Sequence, residues 1–220
     1  NLLAFGQYSE YQFKLTLNLD LMNEENFFIP YFSGTFNGNG YTIYNLTLNL
    51  QNTSFIAMFG YTKFANIHNL SLTNVNVNGK LYTGGLVGFH YHGNISNCYS
   101  TGNVSGESVG GLVETNYNGT ISNCYSTGNV TGESAAGLVR TNDGGFIINC
   151  YSSANTSGAY LISGFLSANY YGTVSNCYST GIVLGDEYTS GLVSWNFAGP
   201  INNSFWDIET SGQSTSDGGT

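Results

Sequence analysis

The chain has 220 residues, a net charge of −9 and only 8% charged residues, against roughly 25% in an ordinary soluble domain. Its four cations, Lys14, Lys63, Lys80 and Arg140, form no basic stripe, which argues against nucleic acid or an anionic membrane surface as a partner. No apolar run approaches the roughly 18 residues of a spanning helix, yet 41% hydrophobic and 15% aromatic residues supply ample material for a core.

The chain begins at Asn1 rather than Met and shows no signal-peptide pattern, so a processed protein or a segment of a longer one is expected. Residues 1–40 read as N-terminal capping strands and a lead-in coil, with alternation at Tyr11-Gln12-Phe13-Lys14-Leu15 and Leu17-Asn18-Leu19. A bare solenoid end would expose unpaired strand edges, so these strands are expected to cover the first coil.

From residue 41 to 206 the chain repeats. A tetrapeptide of Ile or Val, any residue, Asn and a small or apolar residue occurs seven times, with its Asn at Asn45, Asn69, Asn97, Asn123, Asn149, Asn176 and Asn203. Successive rungs are separated by about 24 to 28 residues, a period that indicates a solenoid whose units bury their apolar faces only by stacking. Gly85, Gly111, Gly137, Gly164 and Gly191 each stand at one constant distance before the next ladder Asn, from Gly85 to Asn97 as from Gly191 to Asn203. The arm from each Asn to the next Gly varies in length. Insertions are therefore confined to one corner of each coil. Gly93, Gly119, Gly145, Gly172 and Gly199 recur eight residues after the repeat Gly and read as corners needing a positive φ or close backbone approach.

Short alternating β-branched runs argue for strands and nothing supports a useful helix. The predicted class is all-β, a right-handed parallel β-helix of about seven coils with roughly 26 residues per coil. A leucine-rich repeat fits poorly, because later coils lose the second Leu of Leu70-Ser71-Leu72 and no helical arm follows. Stacked in register, the Asn amides are expected to hydrogen-bond along the axis and to hold a left-handed corner. A second, partial ladder is expected at Asn116, Asn142, Asn169 and Asn196, with His90 in that place one coil earlier.

The four cysteines, Cys98, Cys124, Cys150 and Cys177, share one inward column with Leu46, Leu70 and Ser204. In-register strands hold such residues about 4.8 Å apart, beyond the usual Cβ separation of a disulfide, so a buried thiol column is expected. Cys-x2-Cys metal spacing is absent, and His90 and His92 read as surface residues on one side. No metal or cofactor is implied. Glu107 and Glu133 stack in successive Gly-Glu-Ser segments and read as solvated corner charges, and Glu114 with Arg140 as a surface ion pair. With no further clustered carboxylates, no catalytic residue is assigned.

Tyr99, Tyr125, Tyr151, Tyr178 and Phe205 each follow the inward column by one residue and should form an outward strip five rungs long, a candidate contact surface. A second aromatic column is expected at Tyr91, Tyr117, Tyr170 and Phe197, broken by Asp143. Among nine Asn-x-Ser/Thr sequences, Asn52, Asn94, Asn103, Asn118, Asn129 and Asn155 are candidate glycosylation acceptors, with Asn103 and Asn129 placed at the variable corner.

Blocks such as Gly84-Gly85-Leu86-Val87-Gly88 and Asn123-Cys124-Tyr125-Ser126-Thr127-Gly128 resemble the GLUG repeat of bacterial and archaeal surface proteins, including filamentous-haemagglutinin-like adhesins and large extracellular proteins of methanogens. The stretch Phe32 to Ile43 resembles the usual lead-in, with Asn37 where Asp is commoner, and residues 204–215 resemble the usual exit within a tail over 207–220. The resemblance implies a surface-exposed β-solenoid and no defined activity. The expectation is thus a non-catalytic, extracellular structural or adhesive module. Its partners would be cell-surface glycans or proteins, or other copies of itself in a filament or sheath. A carbohydrate-active enzyme is the reading from another class.

Overall fold

The structure is a computed structural model that describes residues 6–219. The chain winds as a parallel β-solenoid of three-faced coils. Face 1 contains Ile29–Phe32, Val113–Tyr117, Val139–Asp143, Leu166–Tyr170 and Val193–Phe197. Face 2 contains Gln12–Lys14, Thr35–Asn37, Thr120–Ser122, Phe146–Ile148, Thr173–Ser175 and Ile201–Asn202. In two early coils a single bent strand serves both faces, Phe59–His68 and Val87–Ser96. Face 3 is built from Ser71–Asn78 and the three longest strands, Tyr99–Gly110, Tyr125–Ala136 and Tyr151–Ser163, and closes with Tyr178–Ser179 and Phe205–Trp206.

Register confirms the period. Phe59 pairs with Val87, Val87 with Val113, Val113 with Val139, Val139 with Leu166 and Leu166 with Val193, the same steps that separate the ladder Asn residues from Asn69 to Asn203. Winding begins well before residue 41, because Gln12 pairs with Thr35, Leu19 with Ile43 and Ile29 with Phe59. At the other end the tail lies along face 1. Gly191 N–H donates to the Thr215 carbonyl, Asp217 N–H to the Val193 carbonyl, and the Asp217 carboxylate accepts from Asn196 N–H at 2.6 Å.

The apolar interior runs continuously through every coil, from Ile29 and Phe59 through Leu86, Ile95, Leu112 and Ile121 to Leu192 and Val193. Cys98, Cys124, Cys150 and Cys177 belong to it as free, buried thiols. Each Sγ donates to a carbonyl two residues earlier, at 3.1–3.2 Å, and burial pushes the Cys124 thiol well above its ordinary range.

The Asn corners adopt left-handed backbone at every rung, φ 47–60° from Asn45 to Asn203. Their amides link coil to coil: Asn97 Nδ2 donates to Asn69 Oδ1 at 3.2 Å, Asn176 to Asn149 at 3.1 Å and Asn203 to Asn176 at 3.4 Å. Asn45 corrects the expected ladder. Ile43 pairs with Leu72, not Ile67, and Asn74 Nδ2 donates to Asn45 Oδ1 at 2.6 Å, so Asn45 sits under Asn74 while Gly38 lies under Asn69. The short first step, from Asn45 to Asn69, was the trace of this displacement.

The second ladder is the buried one. Asn116 Nδ2 donates to Asn142 Oδ1 at 2.8 Å, Asn142 to Asn169 at 2.9 Å, and Asn169 to Asn196 at 2.9 Å. The same nitrogens, with that of Asn196, donate to the carbonyls of Gly119, Gly145, Gly172 and Gly199 at 2.8–3.1 Å. This explains the glycine column. Positive φ falls on the preceding residue in all five coils (His92, Asn118, Gly144, Tyr171 and Ala198), and of the five glycines Gly93 alone shares it. A Cβ on Gly145 would strike Asn116 Nδ2 and one on Gly172 would strike Asn142 Nδ2, so glycine makes room for the row.

His90 stands at the head of that row and is fully buried, which corrects its reading as a surface residue. The alternation argument failed there because the chain turns at His92, φ 53°, separating the two imidazoles. His90 Nδ1 lies 2.7 Å from Thr62 Oγ1, while His90 Nε2 and Asn116 Oδ1 are both buried without a partner. Burial, assisted by His92, lowers its pKa to about 4, with the nearby backbone of Gly93 acting in the opposite direction.

Two outcomes follow from these rows. Asn142→Ala leaves buried polar atoms on both neighbours, at about 1–3 kcal/mol each, and Gly145→Ala overpacks the row at about 1–3 kcal/mol. Asn149→Ala on the exposed row should cost only about 1 kcal/mol, mainly its left-handed backbone. Urea denaturation of the three variants checks this, and equal losses would contradict it. For His90, the unfolded chain binds a proton near pH 6.5 that the folded chain refuses until about pH 4. Its stability contribution is therefore full above pH 6.5 and falls by about 3 kcal/mol as pH drops to 4. His90→Asn should abolish that part of the slope in pH-dependent melting; an unchanged slope would refute the assignment.

Candidate functional site

Face 3 begins immediately after the inward thiols, so the next residue in each coil must point outward. Tyr99, Tyr125, Tyr151 and Tyr178 stack there with centroids 4.5, 4.8 and 5.0 Å apart and planes within 13°. Phe205 continues in register and is half exposed. The inner rings shield one another, and burial, then the neighbours Tyr99 and Tyr151, push the Tyr125 hydroxyl up to about 12. At neutral pH the row is an uncharged band of ring edges and hydroxyls. The second expected column is shorter: Tyr91 stacks on Tyr117 at 5.3 Å, while Tyr170 and Phe197 lie exposed beyond Asp143.

Face 1 carries a feature that residue spacing did not disclose. The variable arm at the end of face 3 overhangs face 1 and is tied down by one column of side chains. Glu114 accepts from Ser108 Oγ at 2.7 Å, Arg140 Nε donates to Ser134 Oγ at 3.1 Å, Ser167 Oγ donates to the Leu161 carbonyl at 3.2 Å, and Ser194 Oγ to the Ile162 carbonyl at 2.7 Å. Successive coils thus strap the arm with carboxylate, guanidinium and hydroxyl in turn.

This corrects the surface ion pair. Glu114 is 1% exposed beneath the arm, with Arg140 Nε 3.9 Å from its Oε1. Burial raises the Glu114 pKa; a hydrogen bond from Thr115, the charge of Arg140 and a hydrogen bond from Ser108 act against that rise. Arg140 is itself fixed, its Nη1 donating to Thr141 Oγ1 at 2.7 Å.

Where the arm gains a residue it carries aromatic side chains. Gly132 pairs with Gly158 but Ser134 pairs with Leu161, so one extra residue bulges at Tyr160. In the next coil Ile162 pairs with Thr189, which sets Tyr188 one position further along than Tyr160, opposite Leu161, with its ring 5.2 Å from that of Tyr160 in an edge-on contact. Together with Arg140, Leu161, Tyr170 and Trp195 they line a cleft of about 370 Å³. A hollow of about 280 Å³ adjoins it, sharing Arg140 and Tyr160 and bordered by Glu107 and Glu133. The signal in the sequence was small: the arms from Asn149 to Gly164 and from Asn176 to Gly191, which bear Tyr160 and Tyr188, are one residue longer than those of the two preceding coils. A related aromatic cluster marks the other end of face 1, where Tyr31, Tyr61 and Phe89 stack at 5.8 and 5.3 Å beside Phe55 and Tyr82.

The remaining expected sites lie apart from this cleft. Glu107 is half exposed and paired with Lys80 at 3.9 Å. Among the described residues no group of three metal-binding side chains converges, and no helix is long and apolar enough to cross a membrane. Asn103 and Asn129 sit within strands, not at the variable corner. They form an amide row with Asn155, at 2.9 and 3.4 Å, which engages two of the three acceptor nitrogens. Asn94 Nδ2 is likewise engaged, by Asn66 Oδ1 at 2.8 Å. Asn52 and Asn118 are exposed, Asn118 at a left-handed corner.

Comparison with known proteins agrees with the architecture. Residues 79–105 and 105–131 each match the GLUG motif family, a stretch in which the Asn, thiol and glycine columns are regular. No curated protein sequence matches the chain significantly. The structure is similar to a crystal structure, at 1.30 Å resolution, of a Bacteroides ovatus protein provisionally named as an immunoglobulin A1 protease. The TM-score is 0.68 at 20% identity, covering 91% of this chain and 70% of that one, a likeness of fold. The chain is therefore a parallel β-solenoid that carries GLUG repeats.

Proposed function

We propose that the chain is a non-catalytic, extracellular adhesive module that offers a rigid row of stacked tyrosines to cell-surface glycans or proteins. The observation that carries this reading is the unbroken run from Tyr99 to Tyr178, continued by Phe205, on the outside of a solenoid with few surface charges. Tyr presents a large amphipathic surface at low entropic cost, and a row of identical sites favours multivalent contact. A sparse population of charged groups, mostly acidic, fits a module that works by ring and hydroxyl contacts. The free thiols are all within the core, where oxidising surroundings would not pair them at this spacing. As an alternative role, a filament subunit stacking end to end would have to displace the tail that hydrogen-bonds along Val193 and Asn196.

The double variant Tyr125→Ser/Tyr151→Ser interrupts the row at its outward positions. It should keep the β-sheet circular dichroism while losing at least tenfold in apparent affinity for immobilised cells or glycan-coated beads. Sedimentation velocity across a concentration series completes the test. Undiminished adhesion by the double variant would reject the row, and growth of long polymers by the unmodified chain would replace adhesion with assembly.

A further inference from the structure

We propose that the cleft between the overhanging arm and face 1 is a binding site for a saccharide that carries a carboxylate, with Arg140 as the anion-binding group. The site is separate from the tyrosine row on face 3 and does not depend on it.

Three observations converge. First, Tyr160, Tyr170, Tyr188 and Trp195 surround one cleft and each is 39–54% exposed. Such rings offer an apolar face to the C–H side of a sugar and leave hydroxyl and N–H groups for its rim. Second, Arg140 is one of only four cations in a chain of net charge −9, and the only one lining this cleft. With no acidic side chain in the same lining, this cation gives the cleft a local preference for anions. Third, the guanidinium is held before any ligand arrives. Ser134 and Thr141 accept from Nε and Nη1, and Glu114 lies behind it, sealed from solvent. Nη2 has no hydrogen-bond partner among the described residues, and Arg140 remains partly exposed. A planar guanidinium with a free donor edge is matched to a carboxylate rather than to a neutral hydroxyl.

Glu114 gives this arrangement its logic. Arg140 neutralises a buried carboxylate through a contact of 3.9 Å, too long for a strong hydrogen bond, so the guanidinium keeps donor capacity for a second anion. The exposed acids Glu107 and Glu133 border the adjoining hollow, not the aromatic cleft, and Glu107 is paired with Lys80. The lengthened arms that carry Tyr160 and Tyr188 confine the site to two neighbouring overhangs, so one saccharide end, rather than a long polymer, is the fitting occupant.

The test uses tetragalacturonate and a sialylated trisaccharide, each beside its carboxyl-reduced counterpart. Binding is read by calorimetry and by the emission of Trp195, one of two tryptophans. At least one acidic probe should bind at least tenfold more tightly than its reduced form, and added salt should weaken it. Trp195→Ala should cost at least tenfold for that probe. Because Arg140→Gln alone strands a buried carboxylate and threatens folding, the double variant Glu114→Gln/Arg140→Gln is used; it should erase the preference for acid over reduced sugar. Equal binding of acid and reduced forms, no binding of either acidic probe, or indifference to Trp195→Ala would each overturn the proposal. So would equal binding of a poly-glutamate peptide, or loss of saccharide binding in Tyr125→Ser/Tyr151→Ser.

Discussion

Everything in this solenoid depends on coils lying over one another without stagger, and the buried amide row is the interaction least tolerant of stagger. Asn116, Asn142 and Asn169 each donate twice, once to the next coil and once to their own corner glycine, and Asn196 closes the row on Gly199. A shift of one residue would leave several polar atoms dry and unpaired, which is costlier than losing an exposed hydrogen bond. The same slip would turn the inward apolar residues outward, so core and amides specify one register. Apolar burial drives the winding, and the amides add a directional pairing that side-chain volume alone does not supply.

That division of labour explains where the chain tolerates variation. The arm from the repeat glycine to the corner Asn keeps one length in every coil because it contains the row, its glycine and the left-handed turn. The other arm has a buried serine row, Ser100, Ser126, Ser152 and Ser179, but its hydroxyls bond within a coil, as Ser126 does to the Gly137 carbonyl and Ser179 to that of Gly191. The arm beyond it varies in length and carries aromatic residues outward. A few side-chain hydrogen bonds suffice to hold it, and their chemistry changes from carboxylate to guanidinium to hydroxyl along one column. Rigid winding and adjustable overhang coexist because they occupy different arms of the same repeat.

Much of the architecture was legible from periodicity, since every coil answers the same local demands: Asn at a left-handed corner, a small residue inward, Tyr outward. What escaped the sequence depended on encounters between arms. Nothing in the spacing of Glu114 and Arg140 says that an arm six residues earlier folds over them, so a buried pair looked like a surface one. His90 was misjudged because strict alternation assumes a straight strand, and the turn at His92 breaks it. Asn45 matched the motif but not the register, since its coil pairs further along the chain, Ile43 with Leu72. The aromatic cleft was hardest to see, because its residues come from two arms and share no column.

The amide rows also have a direction. In the buried row the nitrogen of each Asn faces the following coil, and the glycine carbonyls permit no other orientation, because an oxygen turned toward them would repel. In the exposed rows the nitrogen faces the preceding coil, as at Asn97, Asn176, Asn203 and Asn129. The two sets of amide dipoles therefore oppose each other along the axis. An array of identical units would otherwise accumulate polarity with every added coil, as the peptide groups of a helix do. Here each coil adds side-chain dipoles of both senses, so the polarity that the buried row would build up along the axis is offset by the exposed ones.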